Sequence, residues 1–133
     1  MTTRYQQLRK SIVRLAATAG EQHVYLESIL GHLSSNGDAT GYGNNELALE
    51  FGEIYAAAAH MQEWGEITEE EIRAVMQIDT LLNDWGVRQS EDFWRREALW
   101  SDPRWEQLRQ CARSVLSKYP DEERPSGWMN DVG

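Results

Sequence analysis

The residues of this sequence whose types and spacing could best support chemistry are two glutamates three positions apart, Glu50 and Glu53. That spacing places both carboxylates on one side of an α-helix, and carboxylate oxygens are ligands that Mg²⁺ accepts. A helical magnesium centre of this kind needs a second acidic pair on the following helix. Met76 and Leu81 stand where that pair would need its glutamate, so a solvated acidic helix face is the favoured interpretation.

Other side chains that carry chemistry are few: Cys111, His23, His32 and His60. A single cysteine builds neither a zinc site nor an internal disulfide, and no histidine belongs to an HExxH or ExxH pair. His23 and Glu27 are predicted to form a surface pair, and Cys111 is predicted to be a small buried thiol. We therefore expect no enzyme activity, no cofactor and no metal ion.

The charge is unevenly distributed along the chain, whose net charge is −9. Residues 35–86 hold eleven acidic residues and one basic residue, Arg73. Residues 1–34 and 87–119 are each slightly basic. A strongly anionic surface repels nucleic acid and anionic lipid. The expected partner is therefore a basic protein, and neither nucleic acid nor a membrane is expected.

Apolar residues recur at steps of three and four, which predicts an all-α fold, an antiparallel bundle of five or six helices. We expect one helical domain over residues 1–119 and a polar tail over 120–133. The N-terminus has no apolar signal segment and no run of residues is long and apolar enough to span a membrane. The cytoplasm is the expected location.

Helix boundaries follow from capping and breaking residues. The first helix is predicted to end at Gly20, the second to cover about residues 21–33, and 34–44 to form a loop. Asn44 or Asn45 is predicted to cap the third helix, which ends near residues 64–65.

The second half of the chain contains three further predicted helices. Thr68 and Glu71 form a capping box for a helix that Gly86 closes, with an inward stripe that includes Met76. A short helix is predicted to start at residues 90–92. Pro103 is predicted as the first residue of the last helix, whose inward stripe is Trp105, Leu108, Ala112, Val115 and Tyr119.

Three stretches of the sequence, NELALEFGEIY at 45–55, FWRREAL at 93–99 and DPRWE at 102–106, resemble small bacterial immunity proteins. These proteins are the cognate inhibitors of contact-dependent and other polymorphic toxin systems, and the resemblance covers residues 45–116. Such proteins are small, cytosolic and acidic, and each blocks a basic nuclease toxin. The resemblance implies inhibition by occlusion of the toxin.

Combined with the charge distribution, this resemblance predicts a partner-binding surface on the central acidic helices. Charge reversal at Glu50 and Glu53 is expected to slow association and weaken its salt dependence. Two alternatives remain open: a phage-type acidic inhibitor that mimics nucleic acid, and a divergent magnesium-dependent nucleotide hydrolase. The predicted charged contacts are Glu46, Glu50, Glu53, Glu63, Asp79 and Asp84, and the predicted aromatic anchors are Trp64 and Tyr42.

Overall fold

A computed structural model of the chain describes residues 3–30, 44–88, 95 and 97–122. Residues 45–63 form one helix interrupted by a two-residue turn, so the described residues form six helices and no strand, which confirms the all-α prediction. The helical segments are α1 (Arg4–Ala16), α2 (Ala19–Leu30), α3 (Asn45–Tyr55), α4 (Ala58–Glu63), α5 (Glu69–Arg88), α6 (Ala98–Ser101) and α7 (Pro103–Leu116).

Helix α1 is central to the bundle, because it packs against both α7 and α3. Its residues Tyr5, Leu8, Ile12 and Leu15 are completely buried. They follow one another at steps of three and four, so a single stripe of α1 supplies this part of the core. The predicted stripe of α7 is also confirmed, since every member is buried: Trp105, Leu108, Ala112, Val115 and Tyr119.

Helix starts follow the capping chemistry in the sequence. The Glu71 amide donates to Thr68 Oγ1 at 3.0 Å, and the Thr68 amide donates to Glu71 Oε1 at 2.8 Å, which confirms the predicted capping box. Pro103 is the first residue of α7, and the Asp102 side chain accepts from the Arg104 amide at 2.9 Å. These bonds satisfy amides that would otherwise lack partners at the helix ends.

Both glycines predicted to end helices lie inside them instead. Gly20 is in the first turn of α2, and α5 continues past Gly86 to Arg88. α1 ends at Ala16 because tertiary contacts take over its last carbonyls. Gln22 donates to the Leu15 carbonyl at 3.1 Å, and Arg113 donates to the Ala16 carbonyl at 2.9 Å.

Two side-chain predictions are also wrong. Met76 is 49% exposed rather than inward, and Ile78 occupies the buried position on that part of α5. Asn44 precedes α3 but makes no capping bond with its side chain. Its Nδ2 instead donates to the Arg95 carbonyl at 2.5 Å, which ties the start of α3 to a segment distant in sequence. Residues 31–43, 89–94 and 96 lie outside the described residues. They include all of the predicted loop except its last residue, and the start of the predicted short helix.

The first residues of the predicted tail lie against α1. The Tyr5 hydroxyl donates to the Pro120 carbonyl at 2.6 Å, and the Arg9 guanidinium lies 4.0 Å from the Asp121 carboxylate. The remainder, 123–133, lies outside the described residues.

Candidate interaction surface

The solvent side of α3 combines an exposed apolar residue with acidic charge. Leu49 is 53% exposed, whereas Leu47 and Phe51 on the opposite side of the helix are buried. Gly52, Glu53 and Ala56 are exposed beside Leu49. We call Leu49, Gly52, Glu53 and Ala56 the α3 outer face, and Glu46 borders it with partial exposure.

The charge of this face is entirely negative. The sequence contains no lysine or arginine from residue 44 to residue 72, so any cation near α3 must come from another element. Within the described residues, no lysine or arginine forms an ion pair with Glu46 or Glu53. The α3 outer face therefore presents uncompensated carboxylate at one border and at its centre.

Glu50 differs from these two glutamates because its carboxylate is bound within the chain. The Arg14 guanidinium of α1 lies 2.5 Å from Glu50 Oε2. The Tyr25 hydroxyl of α2 donates a short hydrogen bond to the same oxygen. Burial and the Glu50 carboxylate together raise the pKa of Tyr25 to about 12. Glu50 thus joins three helices. Its carboxylate is not the free surface charge that a partner contact requires.

A groove lies between α1 and α3. Lys10 and Arg14 line it from α1, and Glu50 and Glu53 line it from α3. The two walls carry opposite charges, and Arg14 pairs with Glu50 within the groove. Glu53 lines both the groove and the α3 outer face without an ion pair to a described lysine or arginine, and Glu46 does not line the groove.

The structure places Trp64 and Glu63 at the end of α4. Trp64 is 39% exposed, but its ring is in contact with two side chains. The Arg4 guanidinium lies 4.7 Å from the ring centroid, and the His60 ring stacks on it at 5.6 Å. Glu63 is exposed, with its carboxylate 3.6 Å from His60 Nδ1. Trp64 therefore already helps to hold α1 against α4, which reduces the ring surface open to a partner.

Two of the remaining predicted contacts, Asp79 and Asp84, lie on α5. Asp79 is half-buried on α5 and accepts from Asn83 at 3.0 Å, and burial raises the pKa of its carboxyl. The pKa of Tyr55 is raised mainly by burial of its side chain, and the negative charge of Asp79 raises it further. Asp84 is exposed one turn further along α5. Tyr42 lies outside the described residues.

Other carboxylates of the acidic segment are paired within the chain. The Arg4 guanidinium bonds both oxygens of the buried Glu66, at 3.0 and 2.6 Å. Arg73 bonds Glu69 at 2.5 Å, and Lys118 bonds Glu70 at 2.9 Å. Arg4 and Lys118 come from the two flanking, slightly basic segments, so tertiary contacts neutralise part of the charge that the sequence gathers in the middle.

The sequence reasoning missed Leu49, Gly52 and Ala56, and Leu49 is the large apolar residue among them. The signal that could have found it is its position outside the apolar stripe of Leu47, Phe51 and Ile54. Single exposed apolar residues are common on protein surfaces, and a large one on the polar side of an amphipathic helix is a candidate apolar contact for a partner.

Scans against protein-family models, curated proteins and solved structures each returned no match. In the part of the chain that the structure describes, no helix is both long and apolar enough to cross a membrane. The same residues contain no group of three or more side chains placed to hold a metal ion.

Proposed function

We propose that this chain is an immunity-type inhibitor that binds a basic bacterial toxin domain, a nuclease, through the α3 outer face. The observation that carries the proposal is the exposure of Leu49 on a helix whose solvent side bears only negative charge. An apolar side chain among carboxylates suits a partner that supplies both an apolar contact and cations.

A nuclease is the favoured class of partner because its cleft must attract phosphate and is therefore basic. An acidic helix laid against such a cleft would occupy the space of the substrate backbone. Opposite charges would accelerate encounter and reject partners of the wrong sign. The burial of Leu49 would then contribute to holding the complex together.

Glu50 has a different part in this proposal. Its bonds to Arg14 and Tyr25 fix α3 against α1 and α2, so it positions the face rather than contacting the partner. Glu46 and Glu53 are the carboxylates that remain for the toxin.

The test is a rescue experiment in bacteria. Each open reading frame beside the gene for this chain is expressed under an inducible promoter, with the intact chain or with a Leu49→Asp/Glu53→Lys variant. One neighbouring product is expected to be toxic and nucleolytic, and only the intact chain should restore growth. The purified pair should form a one-to-one complex without nuclease activity.

A Ser114→Lys variant is the matched control, because Ser114 is exposed on α7 and its change adds positive charge far from α3 in sequence. It should protect as well as the intact chain. Failure of the intact chain to protect against any neighbouring product would refute the proposal.

A further inference from the structure

Gly52 is the feature of the α3 outer face that its own fold does not explain. A glycine in a helix costs stability, because it gains more backbone freedom on unfolding than other residues. Gly52 lacks the positive φ that requires glycine, which among the described glycines occurs only at Gly65. A Cβ atom built on Gly52 would meet no atom of the described residues within 4 Å, apart from its chain neighbours and the backbone of its own helix. Neither backbone conformation nor internal packing therefore calls for glycine here.

Gly20 also has open space around it, but it lies in the first turn of α2, where helix propensity weighs less. Gly52 stands directly between the apolar contact Leu49 and the small residue Ala56 on the same exposed side. Gly52 and Ala56 therefore leave a short stretch beside Leu49 with little side-chain bulk, which we call the lane. Such a lane lets the main chain of a second element approach closely.

The charges at this lane indicate what kind of element would fit. Glu46 and Glu53 are two helical turns apart, about 10 Å along the axis, and neither is paired with a described cation. A partner helix with lysine or arginine at the same separation, and an apolar residue between them, would match both carboxylates and Leu49. Helices pack at 8–10 Å between axes only when side chains at the crossing are small enough.

We infer that the α3 outer face docks a basic amphipathic helix of its partner, which crosses α3 at Gly52. This inference rests on the proposed function for the identity of the partner, but not for the geometry of docking. It assigns Gly52 to the recognition of the partner, with Leu49 as the apolar contact and Glu46 and Glu53 as the charged contacts.

The experiment uses the full chain and a synthetic helical peptide with a central leucine and lysines two turns apart. A scrambled peptide of the same composition is the control for charge alone. In amide NMR titrations, the peptide is expected to shift the resonances of residues 46–56, and the scrambled peptide should bind about tenfold more weakly. Equal binding of both peptides, or shifts centred elsewhere, would overturn the inference.

Two variants of Gly52 separate the effect of side-chain bulk on peptide binding from an effect on folding. Gly52→Ala adds only a methyl group, and Gly52→Gln adds a long side chain that projects into the open lane. Both should fold, because Gly52 is exposed and its new Cβ atom meets no atom of the described residues within 4 Å beyond its chain neighbours and own helix backbone. Gly52→Gln should weaken peptide binding about tenfold, Gly52→Ala much less, and Ser114→Gln on exposed α7 not at all. Unchanged affinity of Gly52→Gln would contradict docking at Gly52.

The peptide assay tests the docking geometry and the rescue experiment tests the identity of the partner, so either one can fail while the other succeeds. Peptide docking at Gly52 without any rescue would leave the docking geometry intact and refute the toxin as partner. Rescue that Gly52→Gln does not impair would support an inhibitor that uses a different contact and would refute this inference.

Discussion

Glu46, Glu50 and Glu53 of α3 have different roles because the side chains beside them differ. Glu50 meets Arg14 and Tyr25, whereas Glu46 and Glu53 meet no described lysine or arginine at ion-pair distance. All three are glutamates, and they follow one another at helical steps of four and three. A neutral substitution should therefore separate their effects on stability and on binding.

Glu50→Gln is expected to lower the free energy of unfolding by about 1 kcal/mol, because the Arg14 cation loses its half-buried counter-charge. Chemical denaturation followed by tryptophan fluorescence measures this change. Glu53→Gln is the control and should leave stability within about 0.5 kcal/mol of the intact chain. Equal stability of both variants would show that the Arg14 pair contributes nothing to the fold.

At the scale of elements, helix α7 begins at a carboxylate with two functions. Asp102 caps the helix through the Arg104 amide and pairs with the Arg104 guanidinium at 2.6 Å. The side-chain bonds from Arg104 lower the pKa of Asp102 below its ordinary value of 3.8. The stability that this carboxylate contributes is therefore present above that ordinary value and is lost as the pH falls through the lower, folded-state pKa.

Asp102→Asn tests that linkage, because asparagine can still cap the helix but cannot ionise. The variant should be less stable than the intact chain at neutral pH, and the difference should shrink as the pH falls below about 4. Thermal unfolding at a series of pH values measures it. Asp102→Ala should cost about 1 kcal/mol more at all these pH values, since it also removes the cap. A pH-independent difference between Asp102→Asn and the intact chain would contradict the assignment.

One substitution in helix α3 is expected to raise the free energy of unfolding rather than lower it. Gly52→Ala should raise the free energy of unfolding by about 0.5–1 kcal/mol, because alanine has less backbone freedom to lose and its methyl group enters open space. Denaturant unfolding gives the change, and Gly65→Ala is the contrasting variant. Gly65 has a φ of 76°, so alanine there should destabilise the chain. A loss of stability in Gly52→Ala would mean that the glycine serves the fold itself.

At the scale of the whole molecule, the negative charge has a kinetic consequence. The net charge of −9 steers a basic partner over distances of about a Debye length. With the toxin identified by rescue, Glu46→Gln/Glu53→Gln should slow association about tenfold at low salt and flatten its salt dependence. Stopped-flow association over a salt series measures this.

Glu69→Gln/Glu70→Gln removes the same amount of charge from carboxylates that are already paired with Arg73 and Lys118. This control should have a smaller effect on the association rate. If both double variants slow association equally, net charge rather than the α3 outer face governs the encounter.

The amino-acid sequence by itself determined the all-α class, the capping box at Thr68, the start of α7 at Pro103 and the buried stripes of α1 and α7. These features depend on residues within a few positions of one another, so local spacing is enough to predict them. It also determined that the middle of the chain is acidic. The end at Gly20 was predicted wrongly, because Gln22 of the next helix and the distant Arg113 bind the last carbonyls of α1. The end at Gly86 was also predicted wrongly, since α5 continues to Arg88.

Only the tertiary structure decided which of those acids remain available. Arg4, Arg14 and Lys118 approach Glu66, Glu50 and Glu70 across separations of many residues, and no local pattern encodes such pairs. The exposure of Leu49 depends likewise on which side of α3 packs against α1. Charge can be counted along a chain, but its compensation depends on distances in space.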